Sequence, residues 1–386
     1  MDNFDCLLKK YAKLVVTKGV NLQKDKLLFI NSPIECSKFA KLLAEEAFEI
    51  GAKDVYINYS DELFTKLRFQ NASIETLSNV PQYEIDKYNY FVDNDASFIS
   101  ISASNPSLFK GIDSKKIASS SKAKSLALKY YSNKLMNNEN AWCVISMPTK
   151  AWAMKVFNDC SEDEAVDKLW NAIFNVMRLN NEDPSRAWDI HLENLKNNME
   201  KLNKFNFKKL IFKNSLGTDL HIELPEGHIW CGGADYTKNG IEFIANMPTE
   251  EIFSTPKRNG VNGKVVDFTA KEGYDSLNEL LNTDEGSRYL GEVALVPYDS
   301  PISNSNILFY NTLFDENASC HLALGKAYPS CIKNGENMSE DELLNANSNI
   351  SLVHVDFMIG SKDLNIIGIT QDLKEVQVFK DGNFSL

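Results

Sequence analysis

The first 60 residues alternate between apolar strands and an amphipathic helix, and this order restricts the fold more than any other feature. Short apolar runs at residues 27–30 and 55–57 predict strands. Between them, Phe39, Leu43 and Ala47 recur at helical spacing. Two strands joined by one helix at this length predict a parallel β-α-β unit, so we expect an α/β domain here.

From about residue 205 onward the pattern changes to a series of short strands. The predicted strands lie at residues 210–212, 220–224, 243–245, 265–268, 293–296, 308–310, 352–359, 364–369 and 376–379. We expect a mixed α/β fold with an amino-terminal α/β domain over residues 1–195. The second domain, over residues 196–386, is expected to be built on a large mixed sheet.

Composition restricts the class of partner. The chain has 41 basic and 53 acidic residues, a formal net charge of −12, and we find no basic patch of the kind that nucleic acid requires. No apolar run is long enough to cross a bilayer, and the amino terminus lacks a signal-peptide pattern. Seven scattered cysteines do not resemble a disulfide framework. We therefore expect a cytoplasmic protein that binds neither nucleic acid nor membrane.

Residues 315–328 combine a carboxylate, an imidazole and a phenol with several small side chains. Glu316 and His321 are five residues apart, which suits a loop that enters a helix. Tyr328 would then lie two turns further along that helix. Burying a lone carboxylate or imidazole is costly, and a bound cation would offset that cost.

Two further stretches carry candidate ligands. His354 and Asp356 lie two apart in a strand-like pattern, so both side chains are predicted on one face. A structural His–Asp hydrogen bond is the alternative. Glu292 lies in an otherwise apolar run and must be paired, protonated or metal-bound; Arg288 and Lys257 are possible partners.

Together, two histidines, one aspartate and two or three glutamates in one domain are ligands of the kind that a two-metal hydrolytic site uses. The adjacent carboxylates of Glu250 and Glu251 also follow a predicted strand, and local pattern does not decide which of them points inward.

These stretches resemble bacterial metallopeptidases of the aminopeptidase T and aminopeptidase S type. The resemblance lies in Asn-Met-Pro-Thr-Glu-Glu-Ile-Phe at residues 246–253, Leu-Gly-Glu-Val-Ala-Leu-Val at 290–296, Glu-Asn-Ala-Ser-Cys-His-Leu-Ala-Leu-Gly at 316–325 and His-Val-Asp-Phe-Met-Ile-Gly at 354–360. The order and spacing of these motifs cover the second domain. Residues 11–20 and 46–55 extend the similarity more loosely into the first.

The resemblance implies two co-catalytic divalent ions (Zn, Co, Mn or Mg) held by Glu251, Glu292, His321, His354 and Asp356. It implies a metal-dependent aminopeptidase acting on peptides with a free amino terminus. It also implies a homodimer in which the first domain helps to enclose the site.

Three residues take their roles from the same resemblance. The family usually has Gly-Glu-Val-Phe where this chain has Glu250 followed by residues 251–253, so Glu251 is the expected ligand. Glu316 matches a further carboxylate that serves as ligand or general base. Tyr328 matches the active-site tyrosine, which would stabilise an oxyanion.

Two other interpretations use the same residues. His321, His354 and Asp356 alone would form the two-His, one-carboxylate set of non-haem iron ring-cleaving dioxygenases, but this leaves the three glutamates unexplained. A catalytically inactive peptide-binding or scaffold protein is the other, and the presence of all expected ligands argues against it. Metal content distinguishes the three interpretations.

Overall fold

A computed structural model describes residues 3–103, 105–259 and 263–386. The α-helices are α1 (Asn3–Leu14), α2 (Ser37–Glu49), α3 (Glu62–Asn71), α4 (Ile74–Leu77), α5 (Gln82–Asp93), α6 (Ser114–Ala127), α7 (Lys129–Met136), α8 (Lys150–Val156), α9 (Glu162–Val176), α10 (Pro184–Phe205), α11 (Tyr274–Leu281), α12 (Pro301–Asn304), α13 (Thr312–Asp315) and α14 (Glu340–Asn345).

The strands are β1 (Leu27–Pro33), β2 (Asp54–Ser60), β3 (Ser97–Ser102), β4 (Trp142–Ser146), β5 (Lys209–Lys213), β6 (Asp219–Glu223), β7 (Cys231–Gly232), β8 (Asp235–Tyr236), β9 (Glu242–Phe243), β10 (Ile252–Ser254), β11 (Leu290–Leu295), β12 (His321–Gly325), β13 (His354–Met358), β14 (Asn365–Ile369), β15 (Glu375–Lys380) and β16 (Asn383–Phe384). Among the described residues, no helix is both long and apolar enough to span a membrane.

One compact unit consists of Met1–Leu192, Ala234–Thr249 and Ser305–Asp315. Its sheet has the strand order β2-β1-β3-β4, and every pairing is parallel. The predicted β-α-β unit is therefore confirmed. Phe29 of β1 packs against Phe91 and Phe98 with ring centroids 4.7 and 5.6 Å apart, so aromatic side chains fill one side of the sheet.

The second unit consists of Glu193–Gly233, Glu250–Asn304 and Glu316–Leu386. It contains two five-stranded antiparallel sheets, ordered β13-β12-β11-β10-β7 and β16-β15-β14-β5-β6. One hydrophobic core draws side chains from both sheets. The mixed α/β fold class is confirmed, but the second unit has two antiparallel sheets where one large mixed sheet was expected. The domain boundary at residue 195 stays a prediction.

Two of the predicted strands are wrong. Residues 308–310 form a loop in which Phe309 stacks on Phe314, 4.7 Å between ring centroids, and its backbone N–H donates to the Asp315 carboxylate. Residues 265–268 form no strand either, and Val266 is 87% exposed. Apolar runs predict strands only where a neighbouring chain segment is available to pair with them.

Asn349 holds the end of β12 in place. Its side chain is fully buried, and Nδ2 donates to the carbonyls of Gly325 at 2.6 Å and Gly286 at 2.8 Å. Its Oδ1 accepts a hydrogen bond from Nε of Arg258 at 3.0 Å. One amide therefore satisfies three groups that would otherwise be unpaired.

Replacing Asn349 with Ala should lower the free energy of unfolding by roughly 2–4 kcal/mol, because each buried group left unpaired costs about 1–3 kcal/mol. Urea unfolding measures this, with Asn345→Ala as the control, since Asn345 is exposed at the end of α14. The control should stay within about 0.5 kcal/mol of the parent protein. Equal stability of the two variants would contradict the role given to Asn349.

Candidate metal centre

The candidate ligands lie on one face of the first antiparallel sheet of the second unit. In β12, Leu322 and Leu324 enter the hydrophobic core. Because side chains alternate along a strand, His321, Ala323 and Gly325 face the other way. The neighbouring strands place polar residues opposite Ala323 and Gly325, and these converge with His321, so the central strand organises the site.

Small side chains at the middle of this face make room for larger ones from both neighbours. Ala323 pairs with Glu292 of β11 on one side and with Asp356 of β13 on the other. Gly325 pairs with His354. A larger residue at either central position would occupy the space into which the carboxylates and the imidazole converge.

A β-bulge at Gly291 turns Glu292 toward the site. The pairing of β11 with β12 shifts between Leu290 and Glu292, and without that shift the two side chains would share one face. Leu290 instead enters the core. A Cβ at Gly291 would lie 2.3 Å from the carbonyl oxygen of Gly325, so only glycine fits the bulge.

Glu292 uses its two carboxylate oxygens to face two histidines. Its Oε1 lies 3.6 Å from Nε2 of His321, and its Oε2 lies 3.3 Å from Nε2 of His354. Oε2 of Glu251 lies 3.2 Å from the same nitrogen of His321, and Oδ1 of Asp356 lies 3.4 Å from that of His354. The result is two ligand groups that share Glu292.

Each group has the size of a metal-binding set. Among the described residues, the candidate ligand atoms of Glu251, Glu292 and His321 lie within 4.8 Å of one another, and so do those of Glu292, His354 and Asp356. The sequence prediction that His354 and Asp356 share a face is confirmed. Arg288 and Lys257, which could have paired with Glu292, contact Asn282 and Glu223 instead.

Backbone carbonyls fix the orientation of both imidazoles. Nδ1 of His321 lies 3.1 Å from the carbonyl oxygen of Ser319, and Nδ1 of His354 lies 2.7 Å from that of Lys326. A carbonyl only accepts hydrogen bonds, so Nδ1 carries a proton in each ring. In the neutral ring Nε2 then presents its lone pair to the carboxylates, as in a metal-ligating histidine.

Burial and mutual charge shift the pKa of Glu251, Glu292, His321 and His354. Burial alone would raise the pKa of Glu292, but His321 and His354 outweigh it and lower the value to about 2. Burial alone would lower the pKa of both histidines, and the facing carboxylates raise it well above 6.5. Burial raises the pKa of Glu251. Without a cation, the cluster therefore holds protons.

The residues fit a cation. Oε2 of Glu251 is buried and has no hydrogen-bond partner among the described residues. Three carboxylates and two imidazoles are N/O donors of the kind that divalent ions accept. A cation between them would satisfy the orphaned oxygen and replace the protons.

Glu316 and Tyr328 border the cluster without joining either ligand group. Glu316 is buried in a 3₁₀ turn, and burial together with the charges of Glu251 and Asp356 raises its pKa well above 4.5. The Tyr328 ring lies 5.2 Å from the His354 ring and 5.3 Å from that of Phe253, between centroids.

The helix predicted to carry His321 and Tyr328 is wrong. Residues 321–325 form β12, because the period-two alternation of small and large side chains is satisfied by pairing on both sides. Tyr328 approaches the cluster from the turn that follows the strand.

The sequence pattern did not decide which of the two adjacent glutamates points inward, and the structure distinguishes them. Glu251 faces His321, on the same face as Phe253 two residues later. Glu250 belongs to neither ligand group, and its backbone N–H donates to Oδ1 of Asn317 at 2.7 Å.

Sequence reasoning missed Asn317. This fully buried amide also lies 3.4 Å from Oε1 of Glu316 through its Nδ2, so it ties Glu316 to the segment that carries Glu251. The signal available was a polar residue beside Glu316 in an otherwise apolar, small-residue stretch.

Comparisons with known proteins cover the whole chain. A family model described as thermophilic metalloprotease (M29) matches residues 4–266 and 262–384. Aminopeptidase 2 of Geobacillus stearothermophilus is 44% identical over 410 residues, covering 100% of this chain and 99% of that protein. Aminopeptidase AmpS of Bacillus subtilis (strain 168) is also 44% identical, with 100% of each chain covered. The solved structure of wild-type AmpT from Thermus thermophilus has a TM-score of 0.91 at 33% identity, covering 99% of this chain and 100% of that one.

Glu251→Gln should weaken binding of one divalent ion by more than about 100-fold, since losing even an outer hydrogen-bond partner of a ligand costs about 10–100-fold. Glu250→Gln, one residue away, should bind like the parent protein. Isothermal titration with Co²⁺ measures both variants. Loss of binding in Glu250→Gln with retention in Glu251→Gln would reverse the assignment.

The metal-free protein should lose thermal stability as the pH rises above about 6.5, the ordinary value for histidine. The folded state raises the pKa of His321 and His354. Such a group stabilises the folded state fully at a pH below its unfolded pKa. That stabilisation is lost as the pH rises through the folded pKa. The pKa of Glu292 is lowered instead, so its contribution to stability is lost only as the pH falls toward about 2.

Calorimetry from about pH 6 to about pH 9 on chelator-treated protein, with and without Co²⁺, measures this dependence. The stabilisation by metal should increase with pH, because the ion competes with protons for the same nitrogens and oxygens. If the metal-induced shift in melting temperature were constant across this pH range, the metal-free protein would not hold protons on His321 and His354 as described.

Proposed function

The chain belongs to the thermophilic metalloprotease (M29) family, and from this membership we propose that it removes amino-terminal residues from peptides with water activated at two divalent ions. Membership confirms the resemblance found in the sequence and makes the protein a hydrolase of the metallo-aminopeptidase type. The single observation that supports a two-ion site is the pair of ligand groups that share Glu292.

The proposed ligands of one ion are Glu251, Glu292 and His321, and those of the other are Glu292, His354 and Asp356. Zn, Co, Mn and Mg all accept such donors, and family membership itself implies a divalent metal. Ions held by these residues would supply a lowered pKa for a nearby water and polarisation of the scissile carbonyl. Glu292 would hold the two positions at a fixed spacing through its two oxygens.

Glu316 is the proposed general base. A carboxyl that takes a proton from water and passes it to the leaving amine is most effective when its pKa lies near the working pH. Burial and the carboxylates around Glu316 shift its pKa in that direction. Its location in a turn beside the ligand groups supports the assignment over a role as a further ligand.

Tyr328 is the proposed oxyanion donor. Burial raises its pKa well above 10, and the neighbouring carboxylates raise it further, so the hydroxyl keeps its proton at neutral pH. A protonated phenol can donate a hydrogen bond to the oxygen that becomes negative when the carbonyl is attacked. Packing against Phe253 and His354 restricts the ring.

The ring-cleaving dioxygenase is not favoured. His321 lies in one ligand group, whereas His354 and Asp356 lie in the other. A single iron bound by these three residues would leave the shared Glu292 between the two histidines without a role. The homodimer and the cytoplasmic location expected from the sequence stay predictions.

Glu316→Gln should lower kcat for Leu-p-nitroanilide by about 10²–10⁴-fold, the usual effect of losing a general base, while the metal content stays unchanged. Activity and metal per chain are measured after chelation and reloading with Zn, Co, Mn, Mg or Fe(II). Glu251→Gln is the comparison, since it should lose metal and activity together.

Three results would overturn parts of this proposal. Loss of metal in Glu316→Gln would make Glu316 a ligand. Full activity in that variant would remove it from the reaction. No hydrolysis with any ion, together with binding of one Fe(II) per chain, would favour the dioxygenase.

A further inference from the structure

The strand that carries His354 and Asp356 has an open edge. β13 is the last strand in its sheet, and among residues 3–103, 105–259 and 263–386 it pairs with β12 alone. Edge strands leave a row of N–H and C=O groups without partners, and an extended peptide can add to such a row. Here the row adjoins the candidate metal centre.

The hydrogen-bond register identifies which groups face outward. Lys326 N–H donates to Val353 C=O at 2.7 Å, and Ile359 N–H donates to Cys320 C=O at 2.9 Å. In an antiparallel pair only every second residue bonds to the partner strand, so residues 353, 355, 357 and 359 face β12. The backbone groups of His354, Asp356 and Met358 therefore point away from it.

The open edge is accessible on the side of Met358. Val355, Phe357 and Met358 are 40%, 39% and 41% exposed. Residues 351–353, at the other end of the strand, are buried or half-buried. The strand rises about 3.3 Å per residue, so Met358 lies about 13 Å from His354. A peptide whose first residue lies opposite His354 would reach Met358 with its fifth residue, and one whose first residue lies opposite Asp356 would reach it with its third.

We propose that peptide substrates bind by adding as a strand along β13, with the leaving peptide hydrogen-bonded to the outward backbone groups of Asp356 and Met358. This inference rests on the proposed aminopeptidase function. Peptides of every sequence share the same backbone groups. Strand addition therefore suits an enzyme that recognises the free amino terminus of a peptide. A second protein copy paired along the same edge would instead block it.

A scan of N-methylated peptides tests the proposal on the unmodified protein. Pentapeptides with amino-terminal leucine are methylated in turn at the amide nitrogens of residues 3, 4 and 5, which leaves the scissile amide intact. Strand addition uses alternate amides, so kcat/KM should fall about three- to tenfold at alternate positions and change by less than about twofold between them.

Met358→Pro removes one outward N–H, and Met358→Ala is the matched control that keeps it. Proline is tolerated on an edge strand where its nitrogen faces solvent. Relative to the alanine variant, Met358→Pro should lower kcat/KM for the unmethylated pentapeptide about three- to tenfold. Leu-p-nitroanilide has no backbone beyond the scissile amide, and its kcat/KM should stay within about twofold of the alanine variant.

The outcomes separate this inference from the function on which it rests. Uniform kinetics across the methylation scan would overturn strand addition while hydrolysis of Leu-p-nitroanilide still supported the aminopeptidase. If Met358→Pro lost activity on both substrates, damage to the fold would explain it, and the scan would decide. No hydrolysis of either substrate by the metal-loaded parent protein would overturn the function itself.

Discussion

Glu292 between two imidazoles is the interaction on which the second unit depends. The buried Glu292 carboxylate lies within 3.3–3.6 Å of two histidine nitrogens, and it holds its charge only because those neighbours compensate for lost water. Glu251 and Asp356 add further negative charge on the same face. Such a face is costly in an apolar interior unless protons or cations balance it, and that need explains why a metalloprotease concentrates its acidic residues there.

The backbone around Glu292 is arranged to allow this concentration. The bulge at Gly291 reverses the direction of one side chain, and Ala323 and Gly325 keep the central strand narrow. Gly325 has a φ of +101°, and a Cβ there would lie 2.0 Å from the carbonyl oxygen of Val353. These small residues contribute little hydrophobic burial. Their contribution is the space in which side chains from four segments of the chain meet.

Sequence reasoning predicted which residues lie close together better than it predicted the path of the chain that carries them. The common face of His354 and Asp356 follows from the period of a strand and needs no partner to be known. The bulge, the strand identity of residues 321–325 and the loop at residues 308–310 depend on which segments pair, and pairing is not local information. Leu322, Ala323 and Leu324 are good helix formers, yet β11 and β13 on either side determine their conformation.

Most candidate metal ligands lie on strands, whereas the proposed base and oxyanion donor lie on turns, and this arrangement suits the proposed chemistry. Glu292, His321, His354 and Asp356 belong to hydrogen-bonded strands, whose register fixes their spacing as metal ligation requires. Glu316 and Tyr328 lie on turns. A general base takes a proton from the attacking water and then gives it to the leaving amine. Its side chain must therefore be able to move, whereas a metal ligand must stay fixed. Asn317 limits that freedom by linking Glu316 to the segment before β10, which keeps the proposed base near the candidate ligands.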